Sequence, residues 1–333
     1  MTLKIGINGF GRIGRLALRT MFEHDDFECV GINDLISTDL MAHLFKYDSA
    51  HGRFKGDVSA DETSLTINGK RIPTTKERDP SNLPWKNLEC DIVIEATGLF
   101  TKKDDAEKHR VAGAKMVIIS APAKGDVPTF VYNVNHETFD PANHTVISNA
   151  SCTTNCLAPV AKVLNDNFGV EQGFMTTVHA YTNDQRVVDA PHKDFRRARA
   201  AAVSQIPTTT GAAKAVGLVL PDLAGKLDGM AIRVPTPDVS LVDLVATLKK
   251  SATADEINAA LKSAANGPMK DTLEFCDEPL VSVDFIGNPH GSIVDALSTK
   301  AMGKMVKVLI WYDNEIGFCH QMMRMAKYVG SKI

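Results

Sequence analysis

Cysteine is scarce in this chain of 333 residues, which contains only six. No two of them are separated by two residues, so zinc-ribbon and thioredoxin-type motifs are excluded. So few cysteines in a chain of this length also exclude a disulfide scaffold and favour a reducing, cytoplasmic setting. The six are Cys29, Cys90, Cys152, Cys156, Cys276 and Cys319.

The chain also lacks a large net charge and a long apolar run. Its 37 Lys and Arg residues and 40 Asp and Glu residues give a formal net charge of −3. Such a balance disfavours a protein that coats nucleic acid or an anionic membrane, so we expect no dedicated partner of either kind. No apolar run approaches the ~18 residues of a membrane span. A strand-like pattern begins at once, which leaves no room for a signal peptide.

The first half of the sequence alternates short Val/Ile-rich runs with segments of helical spacing. Apolar strands alternating with helices indicate a parallel sheet that is covered on both faces. Asn68 and Gly69 predict a type I′ hairpin turn that interrupts this pattern. The predicted strands are residues 4–8, 29–33, 91–96 and 116–120. One predicted helix follows residue 12, and another covers residues 102–110.

After about residue 150 the predicted strands become longer and alternate more clearly. This pattern is typical of a mixed or antiparallel sheet with one face packed on helices. Residues 184–204 carry many charges and little periodicity, which predicts a long ordered loop. The strands are predicted at residues 174–182, 230–235, 239–248 and 306–312, and a last helix at about 318–328.

A glycine-rich turn, GFGRIG at residues 9–14, follows the first predicted strand directly. Gly9 permits the tight turn, Gly11 lets the backbone approach a pyrophosphate, and Gly14 allows close packing of helix on strand. The helix N-terminus offers N–H groups to the phosphates. Asp34, 20 residues after the last glycine, is placed to bind ribose hydroxyls and to repel a 2′-phosphate, which favours NAD over NADP. A purely structural glycine turn is the alternative.

A cysteine lies where another helix is predicted to begin. Apolar spacing from Leu157 predicts a helix whose first turn contains Cys152 or begins just after it, and Pro159 kinks this helix unless it lies in the early turns. A helix N-terminus stabilises a thiolate, so we expect a lowered pKa for Cys152. Cys156 is expected to be buried. His179, on an alternating strand, serves as a base only if the fold brings it to Cys152; a structural histidine is the alternative.

Several blocks of sequence, in this order, resemble the phosphorylating glyceraldehyde-3-phosphate dehydrogenases. The likeness covers essentially the whole chain, and the block around Cys152 is highly specific. The blocks are NGFGRIGR at residues 8–15, KYDS at 46–49, SCTTNC at 151–156, PTTTGAAK at 207–214, RVPTP at 233–237 and WYDNE at 311–315.

The resemblance implies a homotetramer that oxidises glyceraldehyde 3-phosphate with NAD and inorganic phosphate and needs no metal. It implies an α/β fold: a Rossmann-type parallel-sheet domain that binds NAD and an α+β catalytic domain with a mixed or antiparallel sheet. The NAD-binding domain is expected at residues 1–151 together with the C-terminal helix 317–333, and the catalytic domain at 152–316. The loop at about 181–204 resembles one that reaches a neighbouring subunit's cofactor.

The resemblance also implies roles for single residues. Cys152 resembles the nucleophile and His179 the residue that activates it. Asn314 matches the position that binds the nicotinamide amide. Positions around two phosphate pockets match Ser151, Thr153, Thr182, Arg197, Thr210, Gly211 and Arg233. Besides Asn314, the residues that match dinucleotide-binding positions of the family are Gly9, Gly11, Arg12, Ile13, Gly14, Asp34, Arg78, Thr97, Ser120 and Asn183.

Two residues depart from the commoner pattern of the family. Ile316 and Phe318 replace the Thr and Tyr of the commoner pattern Asn-Glu-Thr-Gly-Tyr, so a pair of hydroxyls is lost beside the nicotinamide contact. The basic run at 193–199 reads as a solvated face, except for Arg197. Asp313 and Glu315 are assigned no role.

Other functions stay open at this point. An erythrose-4-phosphate dehydrogenase uses the same chemistry on another sugar phosphate. An aspartate-semialdehyde-type dehydrogenase shares the cysteine, but the sugar-phosphate pocket residues argue against it. A binding or surface protein on the same scaffold, an adhesin or an RNA binder, needs no turnover.

Overall fold

The computed structural model describes residues 2–333 and divides into two compact units. The first unit takes in the described residues up to Phe130, together with His136–Ala150 and Met322–Ile333. The second unit consists of Val131–Asn135 and Ser151–Gln321. No helix within residues 2–333 combines the length and the apolar character needed to cross a membrane.

The first unit contains ten strands and three helices among its described residues. In chain order they are β1 (Leu3–Asn8), α1 (Arg12–Met21), β2 (Phe27–Asn33), α2 (Thr38–Lys46), β3 (Tyr47–Asp48), β4 (Gly52–Arg53), β5 (Val58–Asp61), β6 (Ser64–Ile67), β7 (Lys70–Thr75), β8 (Ile92–Glu95), α3 (Lys103–Val111), β9 (Met116–Ile119) and β10 (Val146–Ser148).

An eight-stranded sheet, in the order β10-β9-β8-β1-β2-β7-β6-β5, forms the centre of the first unit. The strands from β10 to β7 run parallel, and β6 and β5 add an antiparallel edge. β8 and β9 are buried along their whole length, as their apolar sequences predict. Asn68 and Gly69 have φ values of 50° and 78°, which confirms the I′ type of turn between β6 and β7.

The second unit begins with a long helix, and the last helix of the chain starts in it and ends in the first unit. In chain order the elements are α4 (Cys152–Phe168), β11 (Val170–Ala180), β12 (Ile206–Thr209), α5 (Ala212–Val219), β13 (Leu227–Val234), β14 (Ser240–Leu248), α6 (Ala254–Ala265), β15 (Leu273–Cys276), β16 (Ser292–Met302), β17 (Met305–Tyr312) and α7 (Ile316–Gly330).

The second sheet is mixed, in the order β12-β13-β11-β14-β17-β16-β15. β11 pairs with β13, and β15 with β16, in parallel; the other neighbours are antiparallel. The predicted class, a parallel-sheet unit and a unit with a mixed sheet, is therefore confirmed. Within residues 184–204 the chain forms no element beyond the short 3-10 turn Ala201–Val203 and a single bridge between Arg186 and Ala200.

Helix α4 begins at Cys152, so the first of the two predicted starts is correct. Ser151 is its N-cap, and the Ser151 Oγ accepts a hydrogen bond from the Thr154 N–H at 3.0 Å. Such a cap satisfies one of the backbone donors that a helix start leaves without a partner in the helix. Cys152 is therefore held in the first turn, where the helix dipole favours negative charge.

Pro159 lies in the interior of α4 rather than in its early turns. Proline has no N–H, so the carbonyl of Asn155 loses its helical partner. The Ser292 hydroxyl lies 3.3 Å from that carbonyl oxygen and donates to the neighbouring Cys156 carbonyl at 2.6 Å. A buried hydroxyl from β16 thus adds a hydrogen bond to the turn that proline interrupts. Cys156 is fully buried, as expected.

Candidate active site

A cleft of about 340 Å³ opens at the carboxyl ends of β1, β2 and β8. The strand order turns back at β1, and ligands of open α/β sheets bind at such a point. Its lining residues are Asn8, Gly9, Gly11, Asn33, Asp34, Leu35, Glu77, Arg78, Ala96, Thr97, Leu99 and Phe100.

The glycine turn at this cleft leaves no space for side chains at two positions. Gly9 has a φ of 93°, and a Cβ added there would lie 2.7 Å from the backbone of Ala96. A Cβ on Gly14 would lie 2.0 Å from the carbonyl oxygen of Gly9. Gly11 faces open space, which leaves room for a ligand to approach its backbone. This cradle at the start of α1 fits a pyrophosphate.

Asp34 is fixed beside the turn. Its Oδ2 accepts the Phe10 N–H at 2.6 Å, and its Oδ1 accepts the Ile36 N–H at 3.3 Å. Each carboxylate oxygen keeps further acceptor capacity for a ribose hydroxyl. The guanidinium of Arg12 is paired with Asp48, so α1 offers its backbone end, at Arg12 and Ile13, to a phosphate.

The remaining predicted residues of the first unit lie at strand ends. Thr97 follows β8, and its N–H donates to Glu95 Oε1 at 2.8 Å. Arg78 is exposed at the edge of the cleft. Ser120 follows β9, where its N–H donates to the Glu95 carbonyl at 3.0 Å, and it does not line the cleft.

A buried polar network adjoins the residues of this cleft, and sequence reasoning missed it. The indole N–H of Trp85 donates to His109 Nδ1 at 3.0 Å, and His109 Nε2 lies 3.0 Å from Glu95 Oε2. The same carboxylate oxygen accepts from Asn8 Nδ2 at 2.6 Å. His109 lies in a polar helical segment that looks solvated in the sequence, so no local signal reveals this network.

Cys152 and His179 lie together in the second unit. The distance from Cys152 Sγ to His179 Nε2 is 3.6 Å. His179 Nδ1 lies 2.7 Å from the Ala180 carbonyl oxygen, which only accepts, and 3.1 Å from Arg233 Nη1, which only donates. The shorter contact favours a proton on Nδ1, and the Nε2 lone pair then faces the sulfur. The geometry therefore favours a base over a purely structural role for His179.

The environment of this pair contradicts one expectation. Removal of water around the sulfur raises the pKa of the Cys152 thiol, against the Arg233 charge and the Thr153 hydrogen bonds, which lower it. The prediction of a lowered pKa for Cys152 took account of the helix end but not of desolvation, and it is wrong. Burial, with the Arg233 charge next, lowers the pKa of His179 to about 3. At neutral pH a neutral imidazole therefore faces the thiol.

Arg233 lies beside His179 because these two residues are register partners on the parallel strands β11 and β13. Its Nη1 donates to the Ala180 carbonyl at 3.1 Å and to Thr182 Oγ1 at 3.3 Å. A cation and a hydroxyl thus lie next to the thiol–imidazole pair. This combination is suited to an oxyanion or a phosphate.

The starts of α4 and α5 also meet in this unit. Thr154 Oγ1 lies 3.4 Å from the Ala212 carbonyl oxygen, and Ala212 donates its N–H to Thr210 Oγ1 at 3.2 Å. Gly211 is the exposed N-cap of α5. Since both helices present their positive ends, the residues around Ser151 and Thr210 form a second place suited to an anion.

Arg197 lies in a separate set of contacts. It donates to Asp184 Oδ2 at 2.6 Å, to Thr208 Oγ1 at 2.9 Å and to the Thr209 carbonyl at 3.1 Å. In the described part of the chain, no hydrogen bond or ion pair joins it to Cys152. Its charge nevertheless contributes to the lowered pKa of Arg233, after burial. Asn183 is exposed at the start of the same loop.

The block at residues 311–315 supplies three buried residues, Tyr312, Asp313 and Asn314. The Tyr312 hydroxyl lies 2.8 Å from Thr153 Oγ1 and 2.9 Å from Thr177 Oγ1, and its ring meets that of His179 edge-on. This block is part of the family resemblance, but sequence reasoning gives Tyr312 no role. Asn314 is buried at the start of α7, where Ile316 and Phe318 are buried as well.

Comparisons with known proteins agree with this geometry. The family model for the glyceraldehyde 3-phosphate dehydrogenase NAD binding domain matches residues 3–103, and the one for its C-terminal domain matches residues 151–314. A glyceraldehyde-3-phosphate dehydrogenase of Geobacillus stearothermophilus is 60% identical over 333 residues, which cover all of this chain and 99% of the relative. Glyceraldehyde-3-phosphate dehydrogenase 1 of Bacillus subtilis is 58% identical with the same coverage, and a Streptomyces coelicolor relative of that name is 55% identical over the full length of both chains. The chain belongs to the glyceraldehyde-3-phosphate dehydrogenase family.

Proposed function

We infer that this chain oxidises D-glyceraldehyde 3-phosphate with NAD and inorganic phosphate to 1,3-bisphosphoglycerate and NADH, a step of glycolysis. The observation that carries this function is the 3.6 Å contact between Cys152 Sγ and an imidazole nitrogen with a free lone pair. A thiol and a base in contact are what covalent catalysis on an aldehyde requires. Membership of the family identifies the aldehyde and the cofactor.

The two units are proposed to divide the work. Residues 1–151 with the C-terminal helix 317–333 form the NAD-binding domain, and residues 152–316 form the catalytic domain. In the first, the glycine cradle and the start of α1 hold the pyrophosphate, and Asp34 binds the adenosine ribose. The further proposed contacts to NAD are made by Arg78, Thr97, Ser120, Asn183 and Asn314.

The first chemical step belongs to the thiol. As the sulfur of Cys152 forms a bond to the aldehyde carbon, its proton passes to His179 Nε2 and then to the carbonyl oxygen, giving a hemithioacetal. Because the thiol is neutral in this environment, the imidazole is needed to remove the proton during attack. The N–H of Cys152 and the protonated imidazole stabilise the oxyanion on the way.

The second step oxidises this hemithioacetal. Bound NAD supplies the hydride acceptor. His179 accepts the hydroxyl proton as the carbon loses its hydride, which leaves a thioester on Cys152. The Ala180 carbonyl holds the Nδ1–H of the ring throughout, so only Nε2 exchanges a proton with the reacting oxygen.

The third step transfers the acyl group. Inorganic phosphate attacks the thioester carbon, the C–S bond breaks, and Cys152 takes back the proton that His179 accepted in the second step. Arg233 with Thr182, and Ser151 and Thr153 with the start of α5 at Thr210 and Gly211, supply the donors of two phosphate pockets, to which Arg197 adds its charge. One pocket holds the phosphate of the substrate, and the other holds the phosphate that attacks.

The alternatives are less well supported. The curated relatives reported above carry the name glyceraldehyde-3-phosphate dehydrogenase, and none of those three is an erythrose-4-phosphate dehydrogenase. A scaffold without turnover has no need of an imidazole lone pair directed at a half-buried thiol.

We also propose that the protein is a homotetramer in a reducing, cytoplasmic compartment. Large apolar side chains are strongly exposed on the loop at residues 184–204, among them Val187, Phe195 and Val203. Exposed apolar clusters of this kind are typical of interfaces. All six cysteines are free thiols, which supports a reducing setting.

The test is the dependence of NADH formation on phosphate. With glyceraldehyde 3-phosphate and NAD, we expect steady turnover only when phosphate or arsenate is added, and none from Cys152→Ser. His179→Asn is expected to lower kcat by a factor of about 10² to 10⁴, because it removes the base. Erythrose 4-phosphate serves as the comparison substrate. Equal rates with and without phosphate, or a Cys152→Ser protein with most of its rate, refute the assignment.

A further inference from the structure

A buried serine of β14 connects two parts of the proposed site. Ser240 Oγ accepts the Ala180 N–H at 3.0 Å and lies 2.6 Å from Asn314 Oδ1. Ser240 is 1% exposed and Asn314 is 6% exposed. The two contacts therefore join the end of β11, where His179 lies, to Asn314, two residues before α7.

The hydrogens of this group fix the orientation of the Asn314 amide. A serine hydroxyl has one hydrogen to donate, and a buried one needs an acceptor. Asn314 Oδ1 is that acceptor. If the amide were turned round, Nδ2 would face Oγ, and the Ser240 hydrogen would have no acceptor among the described residues. Nδ2 makes no hydrogen bond in the described chain, so its two hydrogens remain available.

The backbone before Ser240 is held in an unfavourable conformation. Val239 is buried and has a φ of 64°. A β-branched residue in this left-handed region is a rare outlier, and such residues persist only where the surrounding structure holds them. Strain of this kind clusters at functional sites. Here it directly precedes the serine whose hydroxyl reaches Asn314.

We propose that Ser240 is a positioning residue for the nicotinamide: it holds Asn314 Oδ1 so that Nδ2 is presented as the donor to the carboxamide carbonyl of NAD. In this arrangement the backbone of Ala180 orients both the base and the amide that holds the nicotinamide. Its carbonyl fixes the His179 ring, and its N–H, through Ser240, fixes the amide that holds the cofactor ring. This role rests on the proposed function and on the contact of Asn314 with the nicotinamide.

The experiment compares the binding of NAD with that of ADP-ribose, which lacks the nicotinamide, to the full-length protein by calorimetry. Ser240→Ala is expected to weaken NAD binding about tenfold, since a net hydrogen bond of ordinary strength is lost. ADP-ribose binding should change less than about twofold. In an Asn314→Ala background, Ser240→Ala should have no further effect on NAD, because the serine acts through the asparagine.

Thr299→Val is the matched control. Thr299 is a buried hydroxyl of the same unit that also donates to an asparagine oxygen, Asn258 Oδ1, at 2.8 Å. Its replacement should leave the ratio of the two affinities unchanged. Ser240→Cys keeps the size of the side chain and replaces the hydroxyl with a weak donor, so it gives the same comparison if the alanine protein does not fold.

Three results overturn the proposal: equal weakening of both ligands by Ser240→Ala, no weakening of NAD, or additive losses in the Asn314→Ala background. A wild-type protein that binds neither NAD nor ADP-ribose contradicts the proposed function instead. The two failures are thus distinguishable.

Discussion

At the scale of single residues, the charge of Arg233 acts on both members of the proposed catalytic pair. After desolvation, it is the largest influence on both. It lowers the pKa of the Cys152 thiol and it lowers the pKa of His179. The guanidinium therefore favours the thiolate form of Cys152 and the neutral form of His179.

Replacing Arg233 with Gln is expected to shift the pH profile of Cys152 alkylation upward by about one unit. Iodoacetamide reacts with the thiolate, so its rate rises as pH rises through the thiol pKa. Loss of a cation beside the sulfur raises that pKa, and the rate at a fixed lower pH falls. The measurement is the rate of iodoacetamide labelling against pH.

Arg197→Gln is the control for this measurement, since the Arg197 charge is not among the main influences on the thiol. Its midpoint should stay close to that of the wild type. Labelling of Cys152→Ser gives the background from the other five cysteines. An unshifted midpoint in Arg233→Gln contradicts the electrostatic role of that residue.

At the scale of elements, α4 carries the proposed nucleophile at its first residue and a proline in its interior. Ser151 caps the helix at the proposed nucleophile, while Pro159 interrupts its hydrogen bonds further along. Proline in a helix interior costs about 3 kcal/mol. The hydroxyl of Ser292 offsets part of this cost, because it donates a hydrogen bond to the Cys156 carbonyl of the interrupted turn at 2.6 Å.

Ser292→Ala is expected to lower the free energy of unfolding by about 1 kcal/mol, because it removes a buried hydrogen bond to the interrupted turn. Chemical denaturation measures this difference. Ser298→Ala, on the same strand, removes a hydroxyl that makes no hydrogen bond among the described residues, and it should change stability by less than about 0.5 kcal/mol. Equal losses in the two variants would rule out the role given to Ser292.

At the scale of the whole molecule, the proposed assembly depends on the loop at residues 184–204. The loop contains no regular element beyond one short turn, yet its apolar side chains are among the most exposed in the described chain. A monomer gains nothing from such exposure. The proposed tetramer accounts for this exposure, since apolar side chains of the loop are then buried against another subunit.

We expect sedimentation to give the mass of four chains for the wild type. Phe195→Asp together with Val203→Asp should produce smaller species, because a charge in an apolar interface is costly to bury. Val111→Asp is the control: Val111 is as exposed as Val203, but it lies on α3, outside the loop. A tetramer that survives the double change shows that the loop is not an essential interface.

The sequence by itself determined the features that depend on neighbours in the chain. Strand and helix alternation, the I′ turn at Asn68, the glycine cradle and the start of α4 at Cys152 all follow from local periodicity and backbone geometry. Family blocks added the identity of the reaction. These signals are local because turns, caps and amphipathic faces are set by residues a few positions apart.

Only the tertiary structure decided what depends on strand register and burial. The parallel pairing of β11 with β13 places Arg233 beside His179, and the contact of Ser240 with Asn314 joins residues 74 positions apart. Desolvation of the sulfur, which reversed the expected pKa shift of Cys152, also arises from packing. None of these has a local sequence signal, because each is a property of surfaces that meet only when the chain is folded.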